Sequence, residues 1–402
     1  MRANTPGFVG QRLTQARKSF GLTGMALAEL LDVTPTTISQ YEKGKQTPRP
    51  EVMTRLCELF KFPPTFFMSA VRDRGERNIM YRSQSVATKT ARDRAEVRFE
   101  WFREIVEFLS EYFDYPVLNL PKVDLPADYK QLTREQIEAA ASACRKLWGF
   151  GDRPIENVVL AMESNGIIVA RGALGSTDLD AFSEQLPGDW AYAFLGDDKG
   201  VPARSRFDAA HELGHIILHR NARSGSFNAP KDFKLLEQQA HRFAAAFLLP
   251  DVAFSQSIWA PTLDAFRAQK SYWKVSIKGM IVRAHQIGMI GYEQYGRMMI
   301  NYTRRFKDGE PGDDLVASET PRLIGRCFDT LLEQRILTRE EMRAALPFPV
   351  GEIESLSSLP KGYLSAPKAD VVSLPTLKKV RADASEQDGG NVVVMGRFRT
   401  AT

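Results

Sequence analysis

Residues 205–219 read SRFDAAHELGHIILH, and this stretch decides how the middle of the chain is interpreted. It places His211, Glu212 and His215 in the spacing His-Glu-x-x-His, followed by an apolar run. Residues four apart lie one above the other on the same face of a helix. The two imidazoles can therefore converge on one zinc ion, each contributing a nitrogen at about 2.0–2.1 Å.

The residues around this histidine pair suggest a helix and a general base. Ser205 and Asp208 form a capping signal that predicts a helix beginning near Ser205. Glu212 is the candidate catalytic residue, because a carboxylate beside a zinc ion can accept a proton from water and return it to a leaving amine. The sequence names no oxyanion stabiliser; Arg204 and Arg206 precede the motif, but arginines at a helix start are as often structural.

Two imidazoles do not complete a catalytic zinc site, which usually has three protein ligands and one water. The next predicted helix, residues 233–249, carries Glu237 at the edge of its apolar face. We predict Glu237 as the third ligand, because a carboxylate at a buried edge needs a partner. His241 lies one turn further along and is the alternative: it could bind the metal or orient one of its ligands.

A chance match is the competing interpretation of the histidine motif. The chain has five histidines, so such a match is expected in roughly one chain of this kind in a few hundred. The helix signals, the apolar flank and the downstream Glu237 favour a real metal site. His219 is expected to be structural, because it drifts off the ligand face, and His285 to be a packing or surface residue.

A second motif lies near the N-terminus, where residues 22–49 read LTGMALAELLDVTPTTISQYEKGKQTPR. Thr23 is the predicted N-cap of one short helix. Thr34 is the predicted N-cap of the next, with Pro35 at its first position and Asp32 in the turn between them. The apolar residues expected to share one small core are Leu27, Leu30, Val33, Ile38 and Tyr41.

The second of these short helices has a polar face suited to DNA. Hydroxyl and amide side chains pair with base edges and phosphates in a major groove, and the predicted readers are Thr36, Thr37, Ser39 and Gln40. Basic side chains that could neutralise phosphates flank them: Arg17, Lys18, Lys43, Lys45 and Arg49. The alternative is a small helical interaction module that has no DNA role.

Composition and charge agree with a regulator that meets a polyanion. The net charge is +5, and residues 1–70 hold nine Lys and Arg against five Asp and Glu; a solvated basic surface is the alternative. No apolar stretch approaches 18 residues and the first ten residues lack an apolar signal core, so neither a membrane partner nor export is expected. Three isolated cysteines suit reduced thiols, which predicts the cytoplasm.

The predicted fold class is mostly α with a small β-sheet, an α+β chain with an all-α five-helix domain at its N-terminus. Strands are predicted at residues 166–170 and 190–195. The predicted divisions are a helix-turn-helix domain (1–70), a basic connector and linker helix (71–130), a metallopeptidase domain (131–260), a helical C-terminal region (261–360) and a disordered tail (361–402).

Residues 8–69 resemble an Xre/Cro-type helix-turn-helix, on the evidence of AELL at 28–31, TISQYEKG at 37–44 and Pro48. Gly24 stands where that family usually has glutamine. The remainder resembles the ImmA/IrrE family of gluzincin-like metallopeptidases through ESNGI at 163–167, DAFS at 180–183, RFDAAHELGH at 206–215 and EQQAHRFA at 237–244. The resemblance implies His211, His215 and Glu237 as zinc ligands and Glu212 as general base. Position 241, usually Asn or Asp in the family, is histidine here.

The resemblance implies a regulatory protease that cleaves a transcriptional repressor. We therefore expect a cytoplasmic regulator that binds double-stranded operator DNA and uses Zn²⁺ to hydrolyse a protein partner. A homodimer is expected as well, because helix-turn-helix readers usually span two half-sites. The alternative is a non-enzymatic transcription factor whose zinc domain is structural or ligand-sensing. One half of a toxin–antitoxin pair is a third, weaker hypothesis.

Overall fold

A computed structural model of the chain describes residues 5–71, 79–81, 89–173, 181–185, 190–196, 202–220, 230–313 and 318–365. The predicted fold class is confirmed: these residues are mostly helical and contain one small sheet. The predicted tail lies outside the described residues from 366 onward. Within the described parts, no helix combines the length and apolar character that crossing a bilayer requires.

Residues 5–71 form the predicted five helices: α1 (Gly10–Ser19), α2 (Gly24–Leu31), α3 (Pro35–Glu42), α4 (Pro50–Phe60) and α5 (Pro64–Met68). The predicted caps are present, since the hydroxyl of Thr23 accepts from the N–H of Ala26 and that of Thr34 from the N–H of Thr37. Asp32 turns the chain between α2 and α3 with a φ of 53°, the left-handed geometry that Asp tolerates better than most residues.

One residue of the predicted small core is wrong. Leu30 is half exposed, whereas Leu27 and Leu31 are fully buried. Leu27 and Leu31 are four residues apart and share the face of α2 that packs inward, and Leu30 lies beside that face. Ile38 and Tyr41 of α3 join this core as predicted.

The chain then forms β1 (Ile79–Tyr81), α6 (Lys89–Leu109), a 3-10 turn (Tyr129–Gln131), α7 (Arg134–Leu147), α8 (Val158–Ser164), β2 (Ile167–Gly172), β3 (Ala181–Gln185) and β4 (Ala191–Gly196). The helices that follow are α9 (Pro202–Leu218), α10 (Pro230–Leu248), α11 (Asp251–Ser257), α12 (Leu263–Trp273), α13 (Ile277–Gln286), α14 (Tyr292–Arg305), α15 (Leu323–Glu333), α16 (Arg339–Ala345) and α17 (Val350–Leu356).

Two predicted helix starts have different outcomes. Thr133 and Gln136 form the reciprocal capping box that predicted α7. The start near Ser205 is wrong, because α9 already begins at Pro202 and Ser205 lies inside it. Proline lacks an N–H and has a helical φ, so it suits the first turn and can open the helix without a hydroxyl cap.

The four described strands form one mixed sheet in the order β1-β3-β4-β2. β2 runs parallel to β4, and β3 is antiparallel to both β4 and β1. β2 and β4 correspond to the two predicted strands, whereas β1 falls in residues 71–92, which we interpreted as a connector. A three-residue edge strand is too short to show the alternation of apolar and polar residues that reveals a strand in a sequence.

The sheet separates two apolar clusters, because alternate residues of a strand face opposite sides. On one side, Ile168, Phe182 and Phe194 pack with α6, the N-terminal five helices and α15 to α17. On the other side, Ile167 and Val169 pack with α7 to α14. The N-terminal domain therefore shares its core with the long helix α6 and the last three helices.

Polar contacts fix the N-terminal domain to α6. The guanidinium of Arg12 is 1% exposed and lies 2.7 Å from the carboxylate of Glu104 in α6. Its Nε donates to the carbonyl oxygen of Ser69, and its Nη2 also donates to that of Ala70. A buried guanidinium with several acceptors holds its surroundings in one geometry, since removing any partner leaves a charge unpaired. The division of the chain into the five predicted segments stays a prediction.

Candidate metal centre

The centre is built where α9 crosses α10. A Cβ atom at Gly214 would lie 3.1 Å from the ring of Phe243 and 3.3 Å from the Cα of Ala240, so a larger residue would require its neighbours to move by a few tenths of an ångström. Gly214 and Ala240 are small residues that face each other at this crossing. The side chains on either side of Gly214 are thereby brought next to α10.

Three side chains bring their donor atoms together at the crossing. The Nε2 atoms of His211 and His215 are 3.0 Å apart, and the two carboxylate oxygens of Glu237 lie 3.2 Å from His215 Nε2 and 3.4 Å from His211 Nε2. Four ligands placed tetrahedrally at 2.0–2.1 Å from zinc are separated by about 3.3 Å. The spacing and the chemistry of this donor set therefore fit a zinc ion.

Burial differs among the three residues. His211 and His215 are buried, whereas the Glu237 side chain is 14% exposed. Among the described residues, these three are the group whose donor atoms lie close enough to hold a metal ion, and neither His219 nor His241 belongs to it. A site with three protein donors leaves a fourth position for water or substrate, as catalytic zinc sites do.

His241 lies beside the group. Its Nδ1 is 2.6 Å from the backbone oxygen of Glu237, one turn earlier in α10. Its ring centroid is 4.5 Å from that of His211 and 5.6 Å from that of Phe207. In this position His241 contacts one predicted ligand through its ring and another through its backbone, which is how a residue that orients ligands would be placed.

His219 has a closer relation to the centre than its sequence position indicated. Its Nδ1 is 2.9 Å from Nδ1 of His215, and its Nε2 is 2.9 Å from the amide oxygen of Gln239. Burial lowers the pKa of His219 well below its usual value, which keeps the ring neutral. No sequence signal indicated Gln239, because a glutamine on the polar side of a helix is ordinarily a surface residue.

Glu212, the predicted general base, is fully buried in α9 directly after His211. A carboxylate is seldom fully buried away from a functional or paired environment, because burial penalises its charged form. The adjacent Leu213 is also fully buried and belongs to the apolar cluster on the α7–α14 side of the sheet. The general-base role of Glu212 stays a prediction.

Arg206, one of the two arginines that precede the motif, makes structural contacts. Its guanidinium is bonded to the carboxylate of Glu319 and to the backbone oxygens of Ile155 and Glu156. Ile155 and Glu156 lie just before α8, and Glu319 lies just before α15. Arg206 therefore joins the first turns of α9 to both elements. These contacts use the N–H groups of Nη1 and Nη2, which a substrate oxyanion would otherwise contact.

Two carboxylates cap each other's helices next to Arg206. Glu319, which precedes α15, accepts from the N–H groups of Val158 and Val159 at the start of α8. Glu163, at the end of α8, accepts from the N–H groups of Arg322 and Leu323 at the start of α15. Each acid satisfies donors that a helix N-terminus leaves without intrahelical partners. The pair joins the metal-bearing half of the molecule to the last three helices.

The predicted DNA-contacting residues differ in how much of each is exposed and in whether they have partners within the protein. Four of them are exposed on or beside α3: Thr36, Lys43, Lys45 and Arg49. Thr37, Ser39 and Gln40 are partly exposed on α3. Arg17 and Lys18 are engaged within the protein, since Arg17 lies 2.6 Å from Glu42 and Lys18 lies 3.0 Å from Asp93 of α6. Arg17 thus forms an ion pair that joins α1 to α3, and its predicted phosphate contact stays a prediction.

Comparison with known families agrees with this arrangement. Residues 9–65 match the family described as a helix-turn-helix domain. Residues 194–305, which include the three converging donors, match a peptidase family described as an IrrE N-terminal-like domain. The two matches support a helix-turn-helix domain joined to an ImmA/IrrE-type domain. The Xre/Cro subtype of the helix-turn-helix domain stays a prediction, and the comparison with curated proteins found no match.

The ImmA/IrrE-type match extends beyond the predicted limit of residue 260. It runs through α11 to α14, and these helices pack in the same apolar cluster as α9 and α10. Arg283 of α13 shows how this part is fixed: it is fully buried and donates to both carboxylate oxygens of Glu138 and to the backbone oxygen of Leu249. Bidentate pairs of this kind hold two helices at a set distance.

Glu163 predicts a pH dependence of stability. Burial raises its pKa from 4.5 to about 7, and the N–H groups that it caps only partly offset that. The folded protein then binds a proton that the unfolded chain releases, so the free energy of unfolding should fall as pH rises from about 4.5 to 7, by up to about 3 kcal/mol. Urea unfolding of the wild type and Glu163→Gln at pH 5, 6, 7 and 8 measures the difference.

The wild type should lose stability relative to Glu163→Gln across this range. Glu293→Gln serves as the control, because the Glu293 carboxylate is 87% exposed on α14. A difference between wild type and Glu163→Gln that is independent of pH, or that changes in the opposite direction, would contradict the assignment.

Proposed function

We propose that this chain is a DNA-binding transcriptional regulator that carries a zinc-dependent peptidase and controls gene expression by cleaving a repressor-type protein. The observation that supports this most is the spacing of His211, His215 and Glu237, whose donor atoms lie 3.0 to 3.4 Å apart. That spacing suits tetrahedral zinc with one position left for water or substrate. The peptidase-family match over the same residues supports the reaction class.

The residues of the site have separate roles in the proposed reaction. His211, His215 and Glu237 would hold the ion, which would supply Lewis-acid activation of a water molecule and of the peptide carbonyl. Glu212 would accept the proton of the attacking water and deliver it to the leaving amine nitrogen. Glu212 is fully buried and directly follows His211 in α9, which is the position the proposed role requires.

The DNA-binding half of the proposal depends on α3. Thr34 and Pro35 set the start of this helix, and its partly or fully exposed residues are short hydroxyl and amide side chains. Such side chains suit the base edges of a major groove, and the exposed Lys43, Lys45 and Arg49 suit phosphates. A homodimer would present two such helices to the two halves of an operator. The cytoplasm remains the expected location.

A non-enzymatic transcription factor is the second candidate. It would use the same α3 surface, and the metal would stabilise the fold or sense a ligand. The burial of both histidines favours this candidate in one respect, because structural sites are typically enclosed. One half of a toxin–antitoxin pair remains a weaker hypothesis, and the identity of the neighbouring gene would test it.

The first prediction concerns metal content. The purified wild type should contain about one equivalent of zinc, since three converging donors form a complete protein ligand set. His215→Ala should lose most of it, while His285→Ala, a histidine on α13 outside the donor group, should retain it. Elemental analysis after purification without chelators is the measurement. Less than about one-third of an equivalent in the wild type would count heavily against the site.

The second prediction separates the peptidase from the pure regulator. Glu212→Gln should keep its zinc and its DNA affinity but lower proteolysis by a factor of about 100 to 10,000, because the amide cannot accept a proton. Expression of the controlled gene in cells would report this as lost derepression. Glu293→Gln on the exposed face of α14 is the matched control. Unchanged control of the gene in Glu212→Gln would favour the non-enzymatic factor.

The third prediction concerns DNA binding. Lys45→Ala should weaken binding to duplexes of any sequence and reduce the slope of log affinity against log salt by about one, because one phosphate contact is lost. Fluorescence anisotropy on a random-sequence duplex at several salt concentrations measures the slope. Lys278→Ala, an exposed lysine on α13, should leave it unchanged. An unchanged slope in Lys45→Ala would remove this lysine from the interface.

A further inference from the structure

A chain of hydrogen bonds leads from His215 into the protein interior. His215 Nδ1 contacts His219 Nδ1 at 2.9 Å, and His219 Nε2 contacts the amide oxygen of Gln239 at 2.9 Å. The amide nitrogen of Gln239 donates to the backbone oxygen of Tyr129 at 2.7 Å. The two histidines and Gln239 are each no more than 4% exposed. The chain thus joins α9, α10 and the 3-10 turn beneath the donor group.

The last acceptor determines the direction of every bond in this chain. The backbone oxygen of Tyr129 can only accept, so the Gln239 amide nitrogen donates to it and the Gln239 amide oxygen faces His219. That oxygen also only accepts, so His219 carries its proton on Nε2. A neutral imidazole with a proton on Nε2 has a lone pair on Nδ1, and His219 Nδ1 therefore accepts a hydrogen bond from the Nδ1–H group of His215.

These bond directions determine which nitrogen of His215 presents a lone pair to the donor group. With its proton on Nδ1, His215 keeps the lone pair on Nε2, the atom that lies 3.0 Å from His211 Nε2 and 3.2 Å from Glu237. A neutral histidine free to choose would spend part of its time with the proton on Nε2, which blocks metal binding. The hydrogen-bond chain excludes the tautomer with the proton on Nε2 and also fixes the rotation of the ring.

We propose that His219 and Gln239 are positioning residues, which hold His215 in the tautomer and orientation that present its Nε2 to the metal. The proposal deepens the zinc site of the proposed function and rests on it. Ligating histidines commonly have their second nitrogen fixed by a carboxylate or a backbone carbonyl. Here the carbonyl of Tyr129 performs that function at a distance, through the amide of Gln239 and a neutral imidazole.

The arrangement excludes the simpler view that His219 only fills space. A buried imidazole needs a partner for each ring nitrogen, and His219 has one at each. An apolar residue of similar size at 219 would fill the same volume but would leave the Nδ1–H group of His215 and the oxygen of Gln239 without this neighbour. Such a substitution would therefore change the tautomer of His215 as well as the stability of the protein.

The test is a tautomer measurement on the full-length, metal-free protein. With nitrogen-15-labelled histidine, five imidazoles contribute signals, and those of His215 are assigned from a His215→Gln variant. His215 should show a protonated Nδ1 and an unprotonated Nε2 in the wild type. In His219→Phe and in Gln239→Leu it should shift towards a mixture of both tautomers. Zinc affinity, measured by competition with a chelator, should fall by about 10- to 100-fold in both variants.

Controls keep the proposal separate from folding and from the zinc assignment. His285→Phe makes the same change at a histidine stacked on Tyr295, outside the chain, and should alter neither measurement. Circular dichroism identifies a variant that has failed to fold, in which case the other variant decides. The proposal is overturned if His215 has the same tautomer in wild type and variants, or if zinc affinity is unchanged. A wild type that binds no zinc would contradict the proposed function, while the tautomer would still be measurable.

Discussion

The close crossing of α9 and α10 is the constraint on which the candidate centre depends. Glycine at position 214 suits this crossing, because an added Cβ would lie 3.1 Å from Phe243 and 3.3 Å from Ala240, closer than ordinary van der Waals contact. At this distance the imidazoles of one helix and the carboxylate of the next meet as donors. A wider separation would leave two histidines on one helix and an unrelated acid on another.

The two apolar clusters support this crossing and connect it to the N-terminal helix-turn-helix domain. One apolar cluster holds α9 and α10 with the helices that follow them, and the other holds the N-terminal domain with α6 and the last three helices. The sheet between the clusters belongs to both. Arg206 and the reciprocal caps of Glu163 and Glu319 lie at the junction and join α8, α9 and α15.

Much of the fold could be predicted from local patterns, and the failures have a common cause. The caps at Thr23, Thr34 and Thr133 are local hydrogen bonds, and all three are present. The strand at residues 79–81 gave no signal, because its pairing with β3 joins residues about 100 positions apart. The ion pair of Arg17 with Glu42 was likewise not predicted, because a sequence shows a charge but not the carboxylate that faces it.

The sequence by itself determined that two imidazoles share one helix face and that a capped polar helix stands near the N-terminus, because both follow from spacing along a single helix. Only the tertiary structure decided which groups stand against them. It placed the carboxylate of Glu237 within 3.4 Å of both histidines, and it connected His215 through His219 and Gln239 to a backbone oxygen. The reason is that contacts between helices depend on crossing distance and rotation, which no pattern within one segment specifies.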